Sequence, residues 1–329
     1  MISVDTVIVG GGPAGASCAW RLGRHGRECI VLDRASFPRP KLCAGWVTPA
    51  ALEALEIEPG EYPLGLLTSD VLRLRIRGIP FDLRTVQHSI RRVQFDEWLL
   101  RRAGTTVITH QVRSIRQEGA QYIVDDTYRA RHLVGAGGTA CPVYRGLFRA
   151  TVPRKQGRQA VVLEEEFACD WHDGSCRLWF FERGLPGYSW YVPKAGGHLN
   201  VGVGALARDL AAKGDAIGPH WQHLTGKLHR RDLVAKRSWR QAGYTYYLRA
   251  KRDITRTGNA YLAGDAAGLA TTDLAEGIGP AVQSGLAVAD AILAGSEPSF
   301  AHIPRRSLPP MLREHGGLTS QISRWIGWG

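Results

Sequence analysis

The chain has 329 residues, enough for about two domains and a substantial buried core. Hydrophobic residues make up 44% and charged residues 22%, which excludes a disordered chain, and no run of about 18 uncharged apolar residues is present to cross a membrane. The net charge of +12 comes from 42 basic residues, only seven of them lysines, and the arginines are scattered rather than gathered in one block, so no nucleic-acid partner is expected.

Residues 3–9 carry Val4, Val7, Ile8 and Val9 and predict a short buried strand. The run Gly10-Gly11-Gly12-Pro13-Ala14-Gly15 follows at once, residues 16–22 predict a helix, and residues 28–32 predict a second strand ending in Asp33-Arg34. This is a βαβ unit. Residues 35–48 hold too many prolines and glycines for a helix, and residues 50–55 predict a short one. In 71–77, Leu72, Leu74 and Ile76 alternate with Arg73, Arg75 and Arg77, the pattern of a half-buried strand, and Gly78-Ile79-Pro80 turns it into a partner around residues 81–83. Residues 91–103 predict an amphipathic helix, with strands near 107–109, 112–117, 122–125 and 131–135.

After about residue 155 the style changes. Residues 161–167, 176–181, 188–192 and 199–204 read as consecutive antiparallel strands rich in aromatics, and 206–228 as mostly helical. After Arg252 the first style returns, with a strand at 260–263, a Gly264-Asp265 turn and a helix over 277–293. Interleaving of the two styles predicts a discontinuous larger domain, residues 1–70, 85–155 and 252–300, a smaller one, 71–84 and 156–251, and a tail, 301–329. The tail combines Met311, Leu312, Ile322, Trp325, Ile326 and Trp328 with Arg313 and Arg324, which suits a peripheral membrane contact. No basic stretch precedes an apolar one at the N-terminus, so the expected location is the cytoplasm, with membrane association through the tail. None of the six cysteines forms a CxxC pair; free thiols and no metal site are expected, with Cys169 and Cys176 facing each other across a hairpin.

Gly10, Gly12 and Gly15 have the G-x-G-x-x-G spacing, between a strand and a helix, with Asp33 at the end of the second strand. Gly10 allows the tight turn, Gly12 lets backbone approach a pyrophosphate, and Gly15 lets helix and sheet pack closely. The helix N-terminus at Pro13 and Ala14 supplies amide donors to phosphate, and Asp33 suits a ribose hydroxyl. This spacing alone does not separate NAD from FAD. The later pair does: Gly264-Asp265 just past a buried strand suits a polyol, and Gly277-Ile278-Gly279 at a helix start suits the pyrimidine end of a flavin.

The pair GGGPAGASCAW…VLDR and YLAGDAAG…EGIGPAVQSG resembles FAD-dependent enzymes of the para-hydroxybenzoate hydroxylase type. That resemblance implies an α/β fold, a GR2-type FAD-binding Rossmann-like domain with an inserted antiparallel-sheet substrate domain. It places Arg34, Arg92 of the R-x-x-F-D helix, and Val112 in the cofactor site. Two further stretches are similar to the geranylgeranyl reductase family: Pro38-Arg39-Pro40-Lys41-Leu42-Cys43-Ala44-Gly45, and Tyr188-Ser189-Trp190-Tyr191-Val192-Pro193-Lys194 with Asn200-Val201-Gly202-Val203-Gly204. In that family the Cys loop, here Cys43, Ala44 and Gly45, lies near the flavin, and the strand of Tyr188 and Trp190 faces it across the substrate pocket. Tyr188 and Trp190 are two apart and share a strand face, which suits an apolar chain.

The resemblance implies reduction of carbon–carbon double bonds in a prenyl or related apolar substrate, with Cys43, Tyr188 and Trp190 as candidate catalytic residues and NAD(P)H, ferredoxin or a similar electron donor. The alternative is an FAD-dependent monooxygenase or halogenase acting on an aromatic small molecule. The hydroxylase G-A-D-G motif reads Gly135-Ala136-Gly137-Gly138 here, without its acid, which counts against a simple NAD(P)H-driven hydroxylase.

Overall fold

A computed structural model of the chain describes residues 1–251 and 255–308. The aromatic and basic tail positions from Met311 onward lie outside the described residues.

The first elements are β1 (Ile2–Val9), α1 (Pro13–Arg24), β2 (Cys29–Asp33), β3 (Trp46–Val47) and α2 (Pro49–Ala54). A long hairpin, β4 (Leu67–Ile76) and β5 (Ile79–Ser89), precedes α3 (Arg92–Ala103), β6 (Thr106–Thr109), β7 (Ile115–Glu118), β8 (Gln121–Val124) and β9 (Tyr128–Gly135). Next come β10 (Gln159–Ala168), β11 (Cys176–Phe180), β12 (Gly187–Lys194), β13 (His198–Leu206), α4 (Ala207–Ala212) and α5 (Ile217–Arg230). The remainder is β14 (Ala242–Tyr247), β15 (Arg256–Thr257), β16 (Ala260–Leu262) and α6 (Ile278–Ala294).

Two sheets result. The first has a parallel centre, β16-β9-β1-β2-β6, with β15 antiparallel on one edge and β8 linking β7 to β9. Its central strand β1 is apolar on both faces because both are covered: Ile8 packs among residues of α1, α3 and α6, and Val7 against β8 and the 141–148 segment. Helix α1 is built of small residues on its packing side, and α6 crosses it closely. The second sheet runs β14-β10-β13-β12-β11-β4-β5-β3. Leu72, Leu74 and Ile76 of β4 point into its core, as their alternation predicts.

The second sheet is antiparallel except where β11 lies parallel to β4, because these two strands come from separate stretches of chain. Of the strands from 161 to 204, β11, β12 and β13 are antiparallel neighbours in chain order, but β10 pairs with β13 and β14 and is separated from β11 by two strands. The expected Cys169–Cys176 hairpin is therefore corrected, and all six cysteines are free thiols. The 112–117 strand begins at Ile115, and Leu206 ends a strand rather than starting a helix. The 35–48 loop contains β3, and β14 had no counterpart in the sequence reading. Among the described residues, no helix is long and apolar enough to cross a membrane.

Candidate functional site

One cavity of about 790 Å³ is lined by residues of both sheets. The βα turn after β1 supplies Gly10, Gly12, Pro13 and Ala14 to one end. Asp33 and Arg34 at the end of β2, Val112, the Gly264-Asp265 turn, and Gly277 and Ile278 at the start of α6 complete that end. Gly15, Gly45 and Gly279 stand behind this wall rather than in it. A Cβ on Gly15 would lie 1.9 Å from the Gly10 carbonyl oxygen, so any side chain there forces helix and turn apart. A Cβ on Gly12, by contrast, would meet only the Arg39 guanidinium, at 3.8 Å.

The local chemistry fits the adenosine diphosphate half of FAD. Helix α1 opens at Gly12 with no side-chain cap and no acid in its first turn, so its free amides keep their capacity for an anion. Asp33 is held in place: its Oδ2 accepts from the Gly11 amide at 2.8 Å and its Oδ1 from the Ala35 amide at 3.0 Å. Arg39 Nη2 sits 3.8 Å from Asp33 and 3.7 Å from Asp96, a cation shared between two carboxylates. Arg154 ties the far wall together, donating to the carbonyls of Thr139 and Ala266 at 2.5 and 2.7 Å, which fixes the 136–140 loop against the Asp265 turn.

Arg92 lines the cavity but its guanidinium is already engaged. Nε and Nη2 bind both oxygens of buried Asp96 at 2.7 and 2.8 Å. Burial opposes its charge, yet the Asp96 carboxylate outweighs that and raises its pKa. Cys43 is half-buried beside Arg92, and its Sγ accepts the Gly45 amide at 3.3 Å. Gly45 takes φ +70 and accepts the Ile90 amide at 2.8 Å, while Lys194 Nζ donates to the Ile90 carbonyl at 2.7 Å. The Cys loop is thus clamped to the end of β5. Ala44 lines the cavity next to Cys43.

The opposite end is aromatic and aliphatic. Tyr188 and Trp190 line it with ring centroids 5.7 Å apart, joined by Val162, Leu178, Val192, Leu274 and Tyr246. Their hydroxyl and indole N–H point away to fixed partners. Tyr188 donates to the Leu274 carbonyl, and Trp190 Nε1 donates to Asn200 Oδ1 at 2.6 Å. Burial raises the Tyr188 phenol. Trp190 lies flat on Gly202, where a Cβ would come within 2.1 Å of its ring.

Four groups in the cavity wall escaped the sequence reading. Glu164 of β10 is 2% exposed, and its Oε1 has no hydrogen-bond partner among the described residues. Burial pushes its carboxyl up to about 7, against the opposing pull of Lys194 and Lys41. Glu276, beside the start of α6, accepts the Gly279 amide at 2.6 Å and is likewise raised to about 7, chiefly by burial. Tyr244 and Tyr246 come from β14, and Lys41 Nζ stands 3.1 Å over the Tyr244 ring. The signals were present: Val162, Glu164 and Glu166 alternate along β10, and Tyr244 and Tyr246 share a face of β14.

Residues 5–98 match the family model described as FAD dependent oxidoreductase. The chain is 30% identical over 219 residues to digeranylgeranylglycerophospholipid reductase 1 of Methanopyrus kandleri, covering 61% of this chain and 57% of that protein. It is 26% identical over 332 residues to the geranylgeranyl diphosphate reductase of Rhodobacter capsulatus, covering 95% and 81%. The chain therefore spans just over half the length of the first of these relatives. In fold it resembles a geranylgeranyl bacteriochlorophyll reductase-like protein of Thermoplasma acidophilum, with TM-score 0.76, 17% identity, and 99% and 85% of the two chains covered.

Proposed function

We propose that this chain, whose residues 5–98 match the FAD dependent oxidoreductase model, is an FAD-dependent oxidoreductase that reduces carbon–carbon double bonds of a prenyl or related apolar substrate. The observation that carries this reading is the single cavity joining a phosphate- and ribose-ready end to an end walled by Tyr188, Trp190, Tyr246, Val162, Leu178 and Leu274. The two relatives named for prenyl substrates support it.

In this reading FAD, bound along the first sheet, supplies two electrons as a hydride when reduced. The chain's own residues do the rest. Gly10, Gly12, Pro13 and Ala14 hold the pyrophosphate and Asp33 the ribose, with Arg34 and Val112 at the adenosine end. Gly264, Asp265, Gly277 and Ile278 hold the polyol and the flavin side, backed by Gly15 and Gly279, and Arg92 orients the Cys43–Gly45 loop over the same side. Tyr188 and Trp190 exclude water and position the alkene, since their polar atoms are committed elsewhere. The division of labour follows the two sheets, cofactor on the first and substrate on the second. The electron donor is a reduced nicotinamide or a ferredoxin-type protein, and the tail beyond residue 308 supplies a peripheral contact with the membrane that carries the lipid.

The test is anaerobic. Protein reduced with dithionite, freed of excess reductant, is mixed with geranylgeranyl diphosphate or a digeranylgeranyl glycerophospholipid in detergent. Return of the oxidised-flavin spectrum with a saturated product by mass spectrometry is expected. A flavin that stays reduced with both, then yields an oxygenated or halogenated aromatic product when air and an aromatic substrate are added, overturns the reading in favour of oxygen chemistry.

A further inference from the structure

Glu164 is the feature of the cavity that packing alone leaves unexplained. A buried carboxyl costs free energy unless it is paired or hydrogen-bonded, yet its Oε1 meets no partner among the described residues. It stands on β10 opposite Gly202, the glycine on which Trp190 lies, so it is placed among the aromatic groups of the substrate end. The cations nearest it are spoken for. Lys194 Nζ binds Glu166 Oε2 at 2.9 Å and the Ile90 carbonyl, Lys41 covers the Tyr244 ring, and Arg92 is held by Asp96.

We propose that Glu164 is the proton donor of the alkene reduction, a catalytic carboxylic acid that faces the substrate end of the cavity. The inference rests on the alkene-reductase reading. Reduction by two electrons breaks the π bond and forms two C–H bonds. One carbon would receive its hydride from bound reduced flavin, and the electron pair of the broken π bond goes to the other carbon, which takes the proton. The Glu164 O–H bond breaks, its proton forms the second C–H bond, and the carboxylate left behind is reprotonated from solvent. An unactivated alkene is a poor hydride acceptor, so an acid held dry against it is what the step requires.

The other acids of the cavity suit this less. Tyr188 already donates its proton to the Leu274 carbonyl, and burial makes both it and Tyr246 weaker acids. Glu276 is bound to the Gly279 amide at the cofactor end. The groups that act on Glu164 are Lys194, Lys41 and Arg92, which favour its anion, and Glu166, which opposes it, along with burial, which wins.

The experiment compares wild type with Glu164→Gln and Glu164→Asp, all loaded with FAD. Infrared spectroscopy first asks whether the protonated-carboxyl C=O absorption that vanishes as pH rises through about 7 is reduced in Glu164→Gln, the Glu276 contribution being common to both proteins. Reduced enzyme is then mixed anaerobically with geranylgeranyl diphosphate in D₂O. Glu164→Gln is expected to keep full flavin content, lose part of that absorption, and reoxidise on the order of 100-fold more slowly or worse, with Glu164→Asp partly restoring the rate. Wild type is expected to give a product with solvent deuterium in every reduced bond, one from the acid and a second wherever the N–H of the reduced flavin has exchanged. A Glu164→Gln enzyme that reoxidises at the wild-type rate overturns the inference and leaves the reductase reading standing. So does an infrared band unchanged by the substitution. A wild type that neither prenyl substrate reoxidises overturns the reductase reading, and the inference with it.

Discussion

The two ends of the cavity are built from different materials. The cofactor end is mostly backbone: a glycine turn, two helix N-termini and the Gly264-Asp265 turn, with the carboxylate of Asp33 pinned by two amides. The substrate end is side chains: Trp190, Tyr188 and Glu164 from strands of the second sheet, with the polar atoms of the two aromatics hydrogen-bonded to fixed partners and Glu164 Oε1 without one among the described residues. Backbone sites tolerate no added bulk where the chain approaches itself, whereas side-chain sites fail one function at a time. The predictions below separate the two.

The largest expected effect is at Gly15. Gly15→Ala puts a methyl 1.9 Å from the Gly10 oxygen, and the backbone must move to admit it. The purified protein should be colourless and unfold at a clearly lower temperature. Gly12→Ala adds the same methyl to open space at φ −75, so it should fold normally and lose only affinity for FAD. Thermal unfolding with flavin absorbance reads both; equal stability of the two variants breaks the distinction between packing and binding glycines.

Asp33→Ala comes next. It removes the acceptor of the Gly11 and Ala35 amides and the proposed ribose contact together. Hydrogen bonds to a charged group contribute about 1.5–3 kcal/mol each, so FAD affinity should fall by at least about 10-fold. Titration of the apoprotein with FAD measures this, and an unchanged Kd removes Asp33 from the cofactor site.

The same contrast explains what the sequence discloses. The cofactor end is short-range: Gly10 to Asp33 is one βαβ unit, and Gly264 to Gly279 another continuous stretch, so spacing alone locates them. The paired alternation of Leu72, Leu74 and Ile76 likewise places β4. The substrate end is assembled across long separations. β11 meets β4 in parallel and β14 joins β10, pairings that no local pattern encodes. Glu164 sits in a run of three glutamates within the strand predicted over 161–167, and only the sheet shows that its two neighbours take other partners, Glu165 with Arg237 and Glu166 with Arg91 and Lys194. Arg92 was legible as a cavity residue, but its pairing with Asp96 needed the helix.

A third prediction is pH-dependent. The Glu164 pKa is raised from 4.5 to about 7 in the folded protein. Below about 4.5 both states are protonated and the group costs nothing; between 4.5 and about 7 the folded state holds the extra proton, so stability falls as pH rises, and the loss is complete above 7. The shift corresponds to roughly 3 kcal/mol. Glu276, raised in the same direction, is present in both proteins and cancels when Glu164→Gln is compared with wild type. Glu164→Gln should therefore gain stability relative to wild type as pH rises through this window. A difference that does not change with pH contradicts a carboxyl held neutral at the substrate end.

The smallest effect is expected at Trp190→Phe. The substitution keeps an aromatic ring over Gly202 but removes the indole N–H that binds Asn200 at 2.6 Å. Asn200 is 1% exposed, so its Oδ1 is left without that donor, at a cost of about 1–2 kcal/mol. Flavin content should not change, because no part of the pyrophosphate turn touches this pair. Turnover should fall modestly through a looser pocket, with KM moving more than kcat, since Trp190 positions substrate and holds no proton for it. A matched Trp190→Phe, Asn200→Leu double variant removes both polar atoms and should recover most of the lost stability. If the single variant instead loses its flavin, the two ends of the cavity are coupled through β12, and their separation into a backbone site and a side-chain site does not hold.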